Sequence, residues 1–130
     1  LNGRTSFWPR GKLLGGSSSI NAMVYIRGQA GDFDDWRDAG NPGWGWDDVL
    51  PYFKRSEDHV WGASAHHGAG GELRVSDFAD QVHPLCQTFL DAGEALGWPK
   101  TTDFNGAQTE GVGLWQMTIR DGKRESTSNA

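Results

Sequence analysis

Residues 11–25 constrain this chain more than any other stretch. They read Gly11-Lys12-Leu13-Leu14-Gly15-Gly16-Ser17-Ser18-Ser19-Ile20-Asn21-Ala22-Met23-Val24-Tyr25. The glycine and serine positions disfavour a regular helix or strand interior. Glycine loses the most backbone freedom on ordering, and serine hydroxyls compete for backbone groups. A tight loop is therefore expected over 11–19, with a main chain that another molecule can approach closely. Residues 20–25 turn apolar and read as the start of a buried helix. A Gly/Ser loop entering a helix start is a common way to offer backbone N–H groups to an anion.

At 130 residues the chain has the size of one ordinary domain. Its 19 glycines are about twice the usual share. Hydrophobic residues make up 36%, with seven tryptophans, so a modest core of aromatics is expected. Aromatics are too frequent and charge runs too short for a disordered tail. No apolar run reaches transmembrane length, and no basic-then-apolar leader opens the sequence. Collagen, coiled coil and internal repeats are excluded by the lack of any period. The sequence begins at Leu1 without methionine and stops after a polar run, as a section of a longer polypeptide would.

Net charge is −5, unevenly spread: +4 over residues 1–30, −5 over 31–58 and −4 over 59–130. An acidic chain repels nucleic acid phosphates, so no nucleic acid partner is expected. The acid-free first thirty residues suit a small anionic ligand or a solvated basic face. Cys86 is single, which fits a reducing, cytoplasmic setting. Its place beside Leu85 and near Phe89 reads as a buried helix position.

Further along, residues 32–39 read as a short helix capped by Asp32, with Phe33 and Trp36 on one face. Gly40, Pro42 and Gly43 break it. Residues 47–58 read as a second helix, started by Asp47 or Asp48. Its stripe is Val49, Leu50 and Phe53, and Lys54 and Arg55 lie near its C-terminal end. Pro51 falls in or just after the first turn. Residues 59–71, with His59, His66 and His67, read as an irregular loop, and 72–76 as a short strand. Residues 82–96 give the clearest helix, with Leu85, Phe89, Ala92 and Leu96 at helical spacing and Gly97 as its stop. Residues 111–126 read as a hairpin, with 114–120 as one arm and Asp121-Gly122 as a type I′ turn. The order is α+β, without alternating βαβ units.

The segment Gly11, Lys12, Leu14, Gly15-Gly16, Ser17-Ser18, Ile20, Asn21, Tyr25, Gly28, Asp34 resembles the first signature of the glucose–methanol–choline (GMC) flavoprotein oxidoreductases, with every slot filled. Arg27-Gly28 with residues 32–36, residues 43–54, His83-Pro84-Leu85 and residues 118–122 also resemble later segments of that family. The likeness covers the chain and is nearest to the choline and alcohol dehydrogenase branch.

The resemblance implies an α+β fragment of a two-domain, Rossmann-like FAD-binding oxidoreductase. Residues 1–30 would belong to the FAD-binding domain, 31–71 to a helical covering segment and 72–130 to the start of the substrate-binding domain. It implies that Leu13, Leu14, Gly15, Gly16, Ser17, Ser18, Asn21, Ala22, Met23 and Val24 contact FAD. Gly15 and Gly16 would let the main chain approach a ring or pyrophosphate, and Asn21 offers donor and acceptor together. Some members attach the flavin through a histidine just before the Asn. That position is Ile20, so non-covalent FAD is expected. The family's G-x-G-x-x-G unit and its C-terminal catalytic histidine have no match here, so no catalytic residue is assigned. The remainder of the polypeptide and a small alcohol are the implied partners.

Other chemistries are weaker. His59, His66, His67, His83 and Cys86 fit no standard zinc spacing, so no metal is expected. Gly16-Ser17-Ser18 is not the G-x-S-x-G of hydrolases. The alternative is a non-catalytic, Trp-rich ligand- or sugar-binding module using Trp44, Trp46 and Trp61. Against it, Trp36, Trp44 and Trp46 can pack the two acidic helices together.

Overall fold

The computed structural model describes residues 2–129. A 3-10 turn, Gly16–Ser19, comes first. Helices α1 (Ala30–Asp38) and α2 (Trp46–Ser56) follow. Strand β1 (Glu57–His59) pairs in parallel with β2 (Leu73–Val75) across an irregular loop, in the register Glu57 to Leu73 and His59 to Val75. Helix α3 (Leu85–Ala95) precedes a hairpin of β3 (Ile119–Arg120) and β4 (Lys123–Arg124). Among the described residues no helix is long and apolar enough to cross a membrane.

Each helix start differs slightly from its sequence reading. Gln29 is the α1 cap, and Asp32 acts from inside the first turn, where its Oδ2 accepts the Gln29 N–H at 2.7 Å. Likewise Gly45 caps α2, and Asp48 Oδ2 accepts its N–H at 3.2 Å. Both carboxylates sit at the positive end of a helix dipole. Pro51 is the sixth residue of α2, one turn deeper than a cost-free position. The helix also ends at Ser56. Glu57 and Asp58, expected to be helical, are extended, because β1 pairs with β2 there.

The expected helix start at residues 20–25 is absent. Met23 has φ 62° and its N–H donates to Asn21 Oδ1 at 2.9 Å, which breaks a helical path. The chain leaves that turn extended: Val24 bridges Met117, and Tyr25 N–H donates to the Gln116 carbonyl at 2.9 Å. Pairing with residues 116–118 supplies backbone partners that a local helix would otherwise supply.

The hairpin turn forms as expected, with Asp121 at φ 50° and Gly122 at φ 73°, the type I′ pattern. Its regular arm is shorter than residues 114–120, since Met117 instead bridges both Val24 and Ser76. Helix α3 turns the other way from expectation. Leu85, Phe89 and Leu96 are exposed, whereas Leu90 and Gly93 face inward. Cys86 is only half-buried.

Aromatics join α1 to α2. The Phe33 ring lies 5.6 Å from Trp36, 5.7 Å from Trp46 and 5.7 Å from Phe53, and Trp36 meets Trp44 edge-on at 5.8 Å. Such tilted and edge-on contacts are how aromatic rings pack into a core. Trp36, Trp44 and Trp46 therefore join the two helices, although Trp36 and Trp44 stay about half exposed, and Trp61 packs against His59 instead. Elsewhere the interior is polar: Glu57, His59 and Val75 are the largest fully buried side chains. The chain exposes 8943 Å², against about 6,800 Å² expected for a compact monomer of 14.2 kDa.

Candidate functional site

The 11–25 loop is built by its own small residues. Gly16 N–H donates to the Leu13 carbonyl at 2.9 Å, closing a turn with Gly15 at φ 85°, and Gly16 follows at φ 53°. A Cβ on Gly11 would collide with the Gly16 carbonyl, so the small first residue of the motif has a steric reason. A Cβ on Gly16 would meet open space, so that side of the loop is accessible.

The hydroxyls are largely committed to the loop. Ser18 Oγ donates to the Gly15 carbonyl at 2.6 Å, and Ser19 Oγ to the Leu14 carbonyl at 2.9 Å. Ser17 Oγ accepts the Gly11 N–H at 3.2 Å. The Ser17 carbonyl accepts N–H groups from Ile20 and Asn21.

Two residues of the C-terminal section close on this loop. Arg124 Nη1 donates to Asn21 Oδ1 at 2.7 Å, to the Asn21 carbonyl at 2.8 Å and to the Ser18 carbonyl at 3.2 Å. Thr127 N–H donates to Ser18 Oγ at 3.1 Å. The following strand-like segment is held as firmly. Met23 O accepts the Thr118 N–H at 2.8 Å. Asn105 reads both sides of residues 25–27: its Oδ1 accepts the Arg27 N–H at 2.8 Å and its Nδ2 donates to the Tyr25 carbonyl at 3.1 Å.

The ten candidate residues thus lie together on one stretch. Leu13, Leu14, Ser17, Asn21, Ala22 and Val24 are exposed, while Gly15, Gly16, Ser18 and Met23 are half-buried. Among the described residues Asn21 Nδ2 makes no hydrogen bond. A separate cavity of ≈ 250 Å³ lies beside Arg27, Trp46, His66, Phe104 and Asn105, and none of the ten lines it. The candidate site is an open face instead.

Next along the chain, Arg27 enters a buried ion network. Arg27 Nη2 lies 2.9 Å from Glu57 Oε2, and their side chains are 2% and 0% exposed. His67 Nδ1 reaches both Glu57 oxygens at 3.1 Å, and His67 Nε2 reaches Asp103 Oδ2 at 2.8 Å. Gly68 N–H adds a 2.8 Å bond to Glu57 Oε2. Burial alone would lower the His67 imidazole, but hydrogen bonds and charge from Asp103 and Glu57 raise it to about 9. Burial opposes the ionised Glu57 and Asp103, yet their bonds to His67 hold both below the ordinary carboxylate range. His59 stacks on His67 at 3.9 Å between centroids, and its own burial keeps it below the usual imidazole value.

Glu57, His59 and His67 bring ligand atoms within 4.8 Å of one another, a grouping that the linear spacing of histidines does not reveal. The arrangement is nevertheless ionic. Both His67 nitrogens are spent on Glu57 and Asp103, and Arg27 already lies against Glu57.

Arg124, Thr127, Glu57 and Asp103 are not singled out by sequence reasoning. Arg124 joins Asn21 across a separation of 103 positions. The I′ turn sets its register opposite Ile119 but says nothing of Asn21.

A family model described as GMC oxidoreductase matches residues 1–130. An oxygen-dependent choline dehydrogenase from Vibrio vulnificus is 48% identical over 131 residues, covering 100% of this chain and 23% of its own length. Among solved structures, pyridoxine 4-oxidase from Mesorbium loti superposes with TM-score 0.93 at 44% identity, over 99% of this chain and 26% of that one. An FAD-dependent oxidoreductase from Chaetomium thermophilum superposes with TM-score 0.81 at 32% identity, over 92% of this chain and 22% of that one. The chain therefore spans about a quarter of the length of the proteins it resembles.

Proposed function

Because the chain belongs to the GMC oxidoreductases, we propose that it is the flavin-contacting section of an FAD-dependent enzyme that oxidises an alcohol to an aldehyde. Choline and pyridoxine, named in its relatives, are both alcohols, which supports that substrate class. The observation that carries the reading is the open face of the 11–25 loop. There Gly16 has free space where a Cβ would stand, and Asn21 Nδ2 is unpartnered among the described residues. These features fit a flat, hydrogen-bonding ring.

Leu13, Leu14, Gly15, Gly16, Ser17, Ser18, Asn21, Ala22, Met23 and Val24 would hold the cofactor. When bound, FAD supplies the hydride acceptor. The residues of this chain bind and orient it. Gly15 and Gly16 admit it close to the main chain, Leu13, Leu14 and Val24 exclude water, and Asn21 donates a hydrogen bond. Ile20 carries no nucleophile beside Asn21, which supports non-covalent attachment. Residues 1–30 would then belong to the FAD-binding part, 31–71 to its covering segment and 72–130 to the start of the substrate-binding part. The proton-accepting base comes from elsewhere in the enzyme.

The test is Asn21→Ala in the full-length enzyme. Flavin content and the rate of flavin reduction by an alcohol should both be measured. A tenfold or greater loss in either is expected, and unchanged values would remove the role of Asn21.

A further inference from the structure

We propose that Arg124 is a positioning residue that sets which face of the Asn21 amide meets the cofactor. The proposal rests on the flavin reading above and deepens it. Asn21 Oδ1 receives two donors, Arg124 Nη1 at 2.7 Å and the Met23 N–H at 2.9 Å. A guanidinium and a backbone N–H can only donate, so the atom between them must be the amide oxygen. The flip ambiguity common to asparagine is resolved by that pairing.

One consequence is chemical. The oxygen of Asn21 is consumed within the protein, so the side chain presents only its NH₂ outward. The sequence reading of Asn21 as donor and acceptor together becomes a donor alone. A second consequence is electrostatic. Nη1 of Arg124 bonds to three oxygens, none of them a carboxylate, and Arg124 forms no ion pair among the described residues. Its charge therefore stays beside the loop and polarises the amide, strengthening Nδ2–H as a donor. The same atom ties the Ser18 and Asn21 carbonyls, so loop and side chain are set by one contact.

The experiment is a double-mutant cycle on FAD affinity in the full-length enzyme, with Arg124→Met, Asn21→Ala and both together. Arg124→Met and Asn21→Ala should each weaken FAD binding about tenfold. The double variant should also lose about tenfold, not a hundredfold, because Arg124 acts through Asn21. The midpoint potential of bound FAD should become more negative in each, as a hydrogen-bond donor to the reduced ring is lost. Asn21→Asp supplies an independent arm. It keeps an acceptor for Arg124 and Met23, removes the donor and adds a negative charge, so FAD affinity should fall without loss of thermal stability. Multiplicative losses in the double variant would overturn the proposal, as would wild-type affinity and potential in Arg124→Met. Should Arg124→Met not fold, wild-type affinity in Asn21→Asp would overturn it. Failure of the unmodified enzyme to bind FAD at all would overturn both this proposal and the reading beneath it.

Discussion

His67 stands between two carboxylates, with Glu57 on one ring nitrogen and Asp103 on the other. Its imidazole is raised from 6.5 to about 9, so the folded state binds its proton more tightly than the unfolded chain does. The stabilisation is complete below about pH 6.5 and is lost as pH rises through about 9. Glu57 and Asp103 behave oppositely, since they are held below their ordinary values: their contribution is present at neutral pH and lost as pH falls through the carboxylate range. A thermal melt of the protein from pH 6 to 10 should show melting temperature declining on the alkaline side, and His67→Gln should flatten that decline. An equally steep alkaline decline in His67→Gln would refute the assignment. Single residues are partly legible in the sequence. Gly11 and Gly15 announce a loop because a Cβ at Gly11 would strike the Gly16 carbonyl and Gly15 stands at φ 85°, where a side chain is strained. Glu57, Asp103 and Arg124 announce nothing, because a charged residue in sequence looks the same whether solvated or buried against a distant partner.

Helices and strands follow local chemistry wherever that chemistry is strong. The first-turn aspartates, the basic end of α2 and the Asp121-Gly122 turn were all readable from neighbours a few positions apart. Phe33 and Trp36 share a face of α1 as their i, i+3 spacing requires. Phe33 is also the ring that Trp46 and Phe53 of α2 meet. Phe33→Ala should therefore destabilise the α1–α2 pair by about 2–4 kcal/mol, read from urea denaturation. A change under about 0.5 kcal/mol, typical of an exposed surface site, would show that the cluster does not bind the helices. Where local signals were weak, tertiary pairing won. Residues 20–25 carry an apolar pattern that suits a helix or a strand, and Met117 draws them into extended pairing. Helix α3 is apolar on more than one side, so periodicity identified the helix but not its inward face.

As a molecule, the chain covers little of its own apolar surface. Val75 and Leu90 are its buried hydrophobics among the described residues, while Phe7, Leu14, Leu85, Phe89 and Leu96 remain largely exposed. Its surface of 8943 Å² is about 30% above the compact-monomer expectation. An isolated 130-residue chain should consequently bind a hydrophobic dye strongly and retain FAD weakly, with Phe89→Ser/Leu96→Ser reducing the dye signal. Tight, stoichiometric FAD on the isolated chain would contradict this. The sequence alone determined the family, the glycine-serine loop and the types of most elements, because each depends on residues close together along the chain. Only the tertiary structure decided that the loop runs into an extended segment, that Asn21 turns its oxygen to Arg124, and that His67 stands between Glu57 and Asp103. Those outcomes depend on contacts between residues 10 to 103 positions apart. A hydrogen bond or an ion pair across that distance leaves no periodicity or spacing by which a sequence can record it.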